Sequence, residues 1–239
     1  MKLVRGNASF FIIGDHEVES SFTQLAEYGI ELPPTSVFSI ETNSFEYNLL
    51  QKKNCRLHSK KTQCLLECLH HLDFQNVKSK YQSEKIGLYI NTYHDYVSSD
   101  FPSFISITKE KSLYKKFRDA IPPTHCFKDA TGIVPGHIAI YHEIHGPTYA
   151  VTSISQNHLF EKASIDLKTG LIDLAVIGFV NSYDNEMTRA WHSHFSNGKK
   201  LTEAAGLILM TNETEIKLTI KNDDESYYGF LDGIISTKE

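Results

Sequence analysis

The chain has 239 residues, with 24 Lys and Arg against 29 Asp and Glu, so its formal net charge is −5. Apolar residues make up 41% and charged residues 22%, a globular composition that excludes a disordered tail or a collagen-like repeat. The mild acidity argues against a non-specific nucleic-acid binder, which needs an excess of Lys and Arg. No apolar run approaches the ~18 residues that span a bilayer, and the N-terminal apolar patch is too short for a signal peptide. We therefore expect a cytoplasmic protein without membrane insertion, organised as a single domain over residues 1–239 or, alternatively, as two small domains.

Hydrophobic patterning in the first part of the chain predicts two buried strands separated by a loop and a helix. Ser9–Ile13 is a short apolar run closed by Gly and Asp, which favours a strand. Residues 29–47 are rich in Pro, Ser and Thr and are predicted to be a loop. Residues 59–74 place their apolar side chains on one helical face. The opposite face carries Lys60, Lys61, Gln63 and Glu67. Ile86–Ile90 is predicted to be the second buried strand.

The rest of the chain continues the alternation of helices and strands. Helices are predicted near Tyr114, through His137 and up to Thr169. Strands are predicted at Tyr149–Ser153, Ile172–Phe179, Ala204–Thr211 and Glu215–Lys221. Because strands alternate with helices, we expect an α/β layered fold with a largely internal sheet.

The cysteine pattern gives little support to a metal or redox site. The four cysteines are Cys55, Cys64, Cys68 and Cys126, and no C-x-x-C pair exists. Cys64 and Cys68 lie four residues apart within the helical pattern, so we expect both to point into a reduced core. The sequence therefore predicts a protein without a cofactor.

Two histidine segments are candidates for chemistry. His137 lies beside apolar helix residues, which favours a hydrogen-bonded structural role. The pair His192 and His194, with Asp184 and Glu186 upstream, has ligand types that zinc accepts. A histidine pair with carboxylates upstream is a common accident, and we interpret this second segment as a polar surface loop rather than a metal site.

Ser153 and Ser155 lie where a predicted strand runs into a helix. A nucleophile can be exposed at such a place and helped by the helix N-terminus. The hydrolase motif G-x-S-x-G is absent, because residues 152–157 read TSISQN. A serine that caps the helix is the favoured interpretation. With no Gly-rich phosphate loop either, the residues alone predict an α/β domain without a convincing active site.

Five segments share an order and spacing with the motifs of one family. Residues 135–140 read PGHIAI, residues 144–147 read IHGP, residues 149–153 read YAVTS, residues 170–178 read GLIDLAVIG and residues 197–206 read NGKKLTEAAG. Over residues 50–211 this series resembles the β-ketoacyl synthases of the thiolase fold. Their motifs are A-G-H-I-S-I, G-L-x-G-P, a strand ending at the nucleophilic cysteine, G-x-x-D-x-x-x-x-G-G and D-G-F-x-x-G-E-G-A-G. The resemblance implies an α/β fold that corresponds to the N-terminal half of a thiolase-like fold, a mixed sheet covered by helices, with the C-terminal half missing.

The sequence departs from the family at its chemistry. Counted from Gly146-Pro147, the position of the family's cysteine falls on Ser155, or on Ile154 with one gap, so no thiol stands there. A serine hydroxyl is barely ionised at neutral pH and needs an adjacent base. The family's two catalytic histidines belong to an H-G-T-G-T motif and a G-F-G-G-x-N motif, and neither occurs here. The resemblance therefore implies a chain without condensing activity and without a cofactor or a metal.

Ketosynthases are dimers, and this implies a partner. In the family, the strand before the cysteine pairs across the two-fold axis, and each subunit closes the end of its partner's acyl tunnel. The chain is similar to degenerate subunits called chain-length factors, such as the short ones of bacterial aryl-polyene pathways. The implied partner is an active full-length ketosynthase, through which an acyl carrier protein is reached. The implied interface residues are Tyr149, Ala150, Val151, Thr152 and Ser153, and the implied tunnel wall is Phe127, Ile133 and Val134.

The helix that follows Ser155 carries independent information about its surroundings. Its apolar residues Leu159, Ala163 and Leu167 form one stripe, whereas Glu161 and Lys162 lie on the other side. Burying unpaired charges costs several kcal/mol each. The pattern therefore predicts a helix with one face in water, and a second half that does not cover it.

Three hypotheses about function follow. The first is a non-catalytic subunit that stabilises and tunes an active ketosynthase. The second is a stand-alone acyl-transfer or hydrolytic enzyme that uses Ser155, with His137 or His158 as its base. The third is a homodimeric binding module with no ketosynthase partner. The first is favoured.

Overall fold

The computed structural model describes residues 1–26, 29, 31–47, 58–92, 132–152, 157–184, 186–213 and 226–227. Its strands are β1 (Lys2–Arg5), β2 (Ser9–Ile13), β3 (His16–Ser20), β4 (Thr35–Ser39), β5 (Ile86–Asn91), β6 (Thr148–Val151), β7 (Leu174–Asn181), β8 (Lys200–Thr202), β9 (Ala204–Met210) and β10 (Ser226–Tyr227). Its helices are α1 (Thr23–Ala26), α2 (Lys60–His71), α3 (Phe74–Lys78), α4 (Ile133–His142), α5 (Asn157–Lys168) and α6 (Glu186–Phe195), with 3-10 turns at Thr42–Ser44 and Ser83–Lys85. None of the helices in these ranges is long and apolar enough to cross a lipid bilayer.

Six strands form the main sheet, in the spatial order β1-β2-β9-β7-β5-β6. Strand β5 is parallel to β6 and β7, whereas β9 is antiparallel to both of its neighbours, β7 and β2. The four strands β2, β5, β6 and β7 therefore run in one direction. Side chains alternate between two cores along β5, with Leu88 and Ile90 on one face and Tyr89 on the other. Because both faces are covered, the central strands are nearly continuous apolar runs.

Helices cover both faces of the main sheet. Leu65 and Leu69 of α2 pack with Ile138 of α4 in the first core, to which α3 also contributes. Leu159 and Ala163 of α5 pack in the second core, on the opposite face. This arrangement confirms the predicted α/β layers with a largely internal sheet.

The predicted loop over residues 29–47 is wrong, because β4 lies within it. Strand β4 pairs antiparallel with β3 and parallel with β8, in a second sheet of order β10-β8-β4-β3. Its central residue Val37 is buried and packs with Tyr183 and Leu201. The strand forms because neighbours distant in sequence supply its pairing partners, although the surrounding composition favours turns.

Helix α2 is buried on more sides than its sequence pattern predicts. Lys61 and Glu67, predicted on the outer face, are both buried. The Glu67 carboxylate accepts hydrogen bonds from the backbone N–H groups of Glu46, at 3.1 Å, and of Tyr47, at 2.9 Å. The segment that contains Glu46 and Tyr47 therefore covers the face of α2 that the sequence pattern predicts to be exposed to water. Cys64 and Cys68 are buried free thiols, as predicted, whereas Cys55 and Cys126 lie outside the described residues.

Helix α5 has one apolar face and one face in water, as predicted. Leu159, Ala163 and Leu167 are buried, whereas the side chains of Glu161 and Lys162 are 71% and 43% exposed. The folded chain therefore does not pay the free energy of burying Glu161 and Lys162 without partners.

A buried aspartate joins α5 to β5. Asp166 accepts hydrogen bonds from the Tyr89 hydroxyl at 2.7 Å and from Lys162 Nζ at 2.6 Å. Burial, together with the hydrogen bond to Asp166, raises the pKa of the Tyr89 hydroxyl well above its usual range. Tyr89 therefore stays a neutral donor and Asp166 an acceptor, which fixes the helix on the sheet.

The remaining predicted elements are confirmed where the structure describes them. The strand Ser9–Ile13, the helix through His137 and the strand that begins at Ala204 are all present. Strand β7 begins two residues later than predicted, at Leu174. The predicted helix near Tyr114 and the predicted strand at 215–221 lie outside the described residues.

Candidate functional site

The carboxyl ends of the parallel strands β5, β6 and β7 lie at one edge of the main sheet, here called the carboxyl edge. In α/β folds this edge is where functional groups gather. Strand β5 ends at Asn91, β6 is followed by Thr152, and β7 ends at Asn181. The candidate residues Ser153 and Ser155 belong to the connection from β6 to α5, which lies outside the described residues.

A buried carboxylate, Glu203, connects the carboxyl edge with the second sheet. Its side chain is 2% exposed, and its Oε2 atom lies 2.6 Å from Lys60 Nζ. The same oxygen accepts hydrogen bonds from the Ile40 N–H at 2.7 Å and the Ser39 hydroxyl at 3.0 Å. The other oxygen, Oε1, accepts from the Tyr183 N–H at 2.9 Å. Both oxygens are engaged, so this carboxylate holds segments together rather than acting as a base.

Lys60 is the cation of this cluster. Its Nζ atom lies 3.2 Å from the Asp184 carboxylate and donates to the Ser39 hydroxyl at 3.0 Å. Burial by itself lowers the pKa of the Lys60 ammonium, but the Glu203 and Asp184 carboxylates more than offset this, and the pKa lies above its usual range. Lys60 therefore remains charged at neutral pH and ties the start of α2 to the end of β4.

Asn181 clamps the end of β7 to the start of β9. Its side-chain oxygen accepts from the Ala204 N–H. Its Nδ2 atom donates to the Tyr183 hydroxyl at 3.2 Å and to the Thr202 carbonyl at 3.3 Å. These hydrogen bonds satisfy the buried side-chain amide of Asn181, for which the sequence pattern indicates no role.

Two histidines meet on the α2 and α4 side of the sheet. The ring of His137 lies edge-on to that of His58, with centroids 4.8 Å apart, and the Tyr47 hydroxyl lies 3.3 Å from His58 Nδ1. Burial, assisted by the neighbouring His137, lowers the pKa of His58 to about 4. The other base considered for Ser155, His158, begins α5 on the opposite face of the sheet and is exposed.

A third histidine, His142, is buried at the end of α4. Its side chain packs edge-on against Phe74, and its Nδ1 atom lies 3.1 Å from Gln75 Nε2. The other ring nitrogen, Nε2, has no hydrogen-bond partner within the described ranges. Burial, and to a smaller extent the nearby Lys78, lowers the pKa of His142 to about 4. The imidazole is therefore neutral at neutral pH.

We expect the free energy of unfolding to fall as the pH drops from about 6.5 to about 4. His58 and His142 stay neutral in the folded chain down to a pKa of about 4, whereas unfolded histidines bind a proton near pH 6.5. Between these values the unfolded chain binds more protons, so acid favours unfolding. Replacing His142 by Gln removes about 2 kcal/mol of this loss between pH 7 and pH 4, measured by urea denaturation.

The exposed His158 provides the matched control for this experiment. His158→Gln makes the same substitution at an imidazole whose side chain is 69% exposed, so it removes no buried ring. Identical pH profiles for the wild type and His142→Gln would contradict the assignment of acid sensitivity to the buried imidazole.

The predicted surface loop around His192 is wrong, because these residues form α6. His192 is buried, with its ring centroid 5.3 Å from that of Tyr183, and Glu186 accepts hydrogen bonds from α1. The amphipathic pattern of residues 186–195 was the signal for this helix. Within the part of the chain that the structure describes, no three His, Cys, Asp or Glu side chains are close enough to hold a metal ion.

Strand β6, which contains most of the predicted interface residues, is the edge strand of the main sheet. It pairs with β5 on one side, and no described strand pairs with its other side. The carbonyl of Pro147 accepts a hydrogen bond from the Leu88 N–H of β5 at 2.8 Å, and that of Val151 accepts from the Thr92 N–H, directly after β5, at 3.0 Å. Because alternate residues of a parallel strand bond to the same neighbour, the backbone groups of Thr148 and Ala150 point away from β5. Strand β6 therefore presents an open edge.

Apolar side chains lie beside this open edge. Tyr149 is 38% exposed, and Ile140 of α4, which packs against β6, is 79% exposed. Helix α4 is apolar nearly all round, a composition typical of helices that are covered on every side. The strand edge that no described strand covers, together with the adjacent helix α4, is here called the β6 face.

The three predicted tunnel residues fall in different environments. Val134 is buried in the first core, with α2. Ile133, the first residue of α4, is partly exposed. Phe127 lies outside the described residues.

Sequence reasoning missed the cluster around Glu203 and Lys60. A charged residue directly before the apolar run of β9 was the available signal, since a charge at the end of a buried strand needs a partner. The partners of Glu203 come from three separate segments, which no local pattern brings together.

The described fold is similar to solved ketosynthase structures. The ishigamide ketosynthase/chain length factor is 16% identical over 84% of this chain and 55% of that chain, with a TM-score of 0.57. A β-ketoacyl synthase from Burkholderia phymatum STM815 is 11% identical over 78% and 50% of the two chains, with a TM-score of 0.56. A ketosynthase in complex with its chain length factor from Xenorhabdus doucetiae is 16% identical over 76% and 47%, with a TM-score of 0.50.

These likenesses concern the fold. No protein-family profile matches the sequence, and no curated protein matches it. The chain spans about half the length of the solved structures described above. The chain therefore has the thiolase-like α/β fold of ketosynthases, over about half the length of those proteins.

Proposed function

We propose that this chain is a non-catalytic, ketosynthase-like subunit that pairs with an active full-length ketosynthase and shapes its acyl tunnel. In this role it resembles a chain-length factor of aryl-polyene biosynthesis, acts in the cytoplasm and meets the acyl carrier protein through its partner. The observation that carries the proposal is the β6 face, where no described strand pairs with the outer edge of β6 and helix α4 packs next to it. Two solved structures of the same fold are described as ketosynthases with a chain length factor, which is consistent with such a pairing.

The chemistry of the chain supports a role without catalysis. Counted from Gly146-Pro147, the position of the family's cysteine falls on Ser155, or on Ile154 with one gap, so the sequence has no thiol there. The charged pair of the carboxyl edge, Lys60 and Glu203, is engaged in holding segments together. The partner therefore supplies the nucleophile and both catalytic histidines.

The proposed contact is antiparallel pairing of β6, followed by Thr152 and Ser153, with the equivalent strand of the ketosynthase. The outward backbone groups of Thr148 and Ala150 make the new hydrogen bonds, and Tyr149 and Ile140 pack at the rim. A stable pairing of this kind buries more than ~2,000 Å² in total. Phe127 and the partly exposed Ile133 then form the side of the chain that faces the partner's tunnel, and Val134 anchors the start of α4 in the first core.

Replacing Ala150 by Pro is expected to abolish assembly with the ketosynthase. Proline removes an outward N–H group and places its ring in the path of the partner strand, while edge strands tolerate it within their own fold. The measurement is size-exclusion chromatography of the co-expressed pair. Ala150→Val, which keeps the N–H group, is the matched control and assembles normally.

The same complex tests tunnel shaping. Ile133→Trp, in a fully assembled complex, shortens the product without changing the rate of acyl transfer to the partner.

An Ala150→Pro complex that elutes like the wild type contradicts the proposed contact. A Ser155 acyl adduct on the isolated chain, detected by mass spectrometry, contradicts the non-catalytic role.

A further inference from the structure

A cavity lies at the opposite, amino edge of the parallel strands, between the turn that joins β1 to β2, helix α3 and strand β9. Its volume is about 220 Å³. Its lining includes five aliphatic residues that all pack with the first core: Ala8, Leu72, Val77, Leu174 and Leu209. The cavity is thus a recess in the core that opens to the surface, far along the sheet from the carboxyl edge and the β6 face.

One cation stands among the lining residues. Arg5, the last residue of β1, is exposed and lines the cavity. Across the described part of the chain, no carboxylate lies within ion-pair distance of its guanidinium. Acidic residues outnumber basic ones in this chain, which has a net charge of −5. An arginine that has no acidic partner is therefore unusual here, and it lies beside an apolar recess. Tyr81, also in the lining, adds a hydroxyl group.

We propose that this cavity binds a short-chain aliphatic carboxylate. Arginine binds a carboxylate through two parallel N–H donors, which gives both energy and orientation. The leucine and valine side chains remove the alkyl tail from water. The carboxylate therefore lies at Arg5 and the tail points toward Leu174. This site is independent of the proposed ketosynthase-like role.

The volume sets the length of the tail. At about 30 Å³ for a water-sized group, the cavity holds roughly seven or eight non-hydrogen atoms, which is the size of hexanoate. Affinity therefore increases from butanoate to hexanoate and does not increase further to decanoate. A non-specific apolar surface would instead bind decanoate most tightly, because transfer energy grows with each methylene group.

The test measures binding of sodium hexanoate to the full chain by isothermal calorimetry and ligand-detected NMR. Arg5→Gln is expected to weaken hexanoate binding about tenfold, the loss typical of a charge-assisted hydrogen bond, and to leave binding of neutral hexanol unchanged. Val77→Phe fills the recess and weakens both ligands. Lys2→Gln is the matched control, because it removes the same charge from the same strand outside the cavity.

Each outcome decides the proposal. Saturable hexanoate binding that Arg5→Gln weakens and Lys2→Gln does not weaken supports it. Absence of saturable binding, equal weakening by Arg5→Gln and Lys2→Gln, or an affinity that keeps rising to decanoate overturns it. A negative result for hexanoate binding does not change the result expected for Ala150→Pro in the assembly experiment. The two proposals are therefore tested independently of each other.

Discussion

Replacing Lys60 by Met is expected to lower the free energy of unfolding by about 3–5 kcal/mol. The change leaves the Glu203 carboxylate, 2% exposed, without the ammonium that lies 2.6 Å from it. An uncompensated buried charge is among the most costly defects in a folded protein, because neither water nor a counter-ion stabilises it. The measurement is the midpoint and slope of urea denaturation at pH 7.

Two further variants make this experiment specific. Lys78→Met removes a lysine whose partner, Glu143, is 79% exposed, and such a surface pair contributes at most about 1 kcal/mol. In the double variant Lys60→Met/Glu203→Met, both charges are gone, so it is more stable than the sum of the two single changes predicts. Strict additivity would show that the pair acts independently and would contradict the proposed coupling.

Replacing Gly146 by Ala is expected to destabilise the chain by about 3 kcal/mol. A Cβ atom at this position would lie 2.2 Å from the carbonyl oxygen of Ile86 and 2.8 Å from that of Glu84. Both neighbours are backbone atoms, so rotation of a side chain cannot relieve the contact. The turn that leads into β6 must therefore shift, and we expect the proposed assembly through the β6 face to weaken along with stability.

Gly136 provides the matched control. A Cβ atom there meets nothing within 4 Å, and the residue lies inside helix α4. Gly136→Ala is therefore expected to stabilise the chain by up to about 1 kcal/mol, through helix propensity. Thermal unfolding of the two variants measures the contrast, and equal midpoints would contradict the steric argument at Gly146.

The layered fold could be predicted from the sequence because its signals are local. Ser9–Ile13 and Ile86–Ile90 are apolar runs of strand length, and α5 carries an amphipathic pattern with a 3.6-residue period. The second sheet could not be predicted in this way. Strand β4 has a turn-like composition and is a strand because β3 and β8 pair with it.

Charged residues mark the limit of pattern reading at the carboxyl edge. Glu67 and Lys61 occupy helix positions that periodicity assigns to water, and distant segments cover them. Glu203 draws its partners from residues up to 164 positions away. The sequence pattern shows where a charged residue lies along the chain, but it does not show which distant segments pack against that residue and neutralise its charge. Strand β6 was predicted because its short stretch has the composition of a strand, and its role as an interface is the proposal that Ala150→Pro tests.

The open edge of β6 has a consequence for how the chain is produced in a cell. Unpaired backbone N–H and C=O groups in an extended strand are a template for any other strand that reaches them. In the proposed complex the ketosynthase strand covers these groups, so chain that is synthesised in excess of this partner is expected to self-associate. The proposed pairing therefore calls for synthesis of the two subunits at a fixed ratio, and the reason lies in four residues, Thr148–Val151.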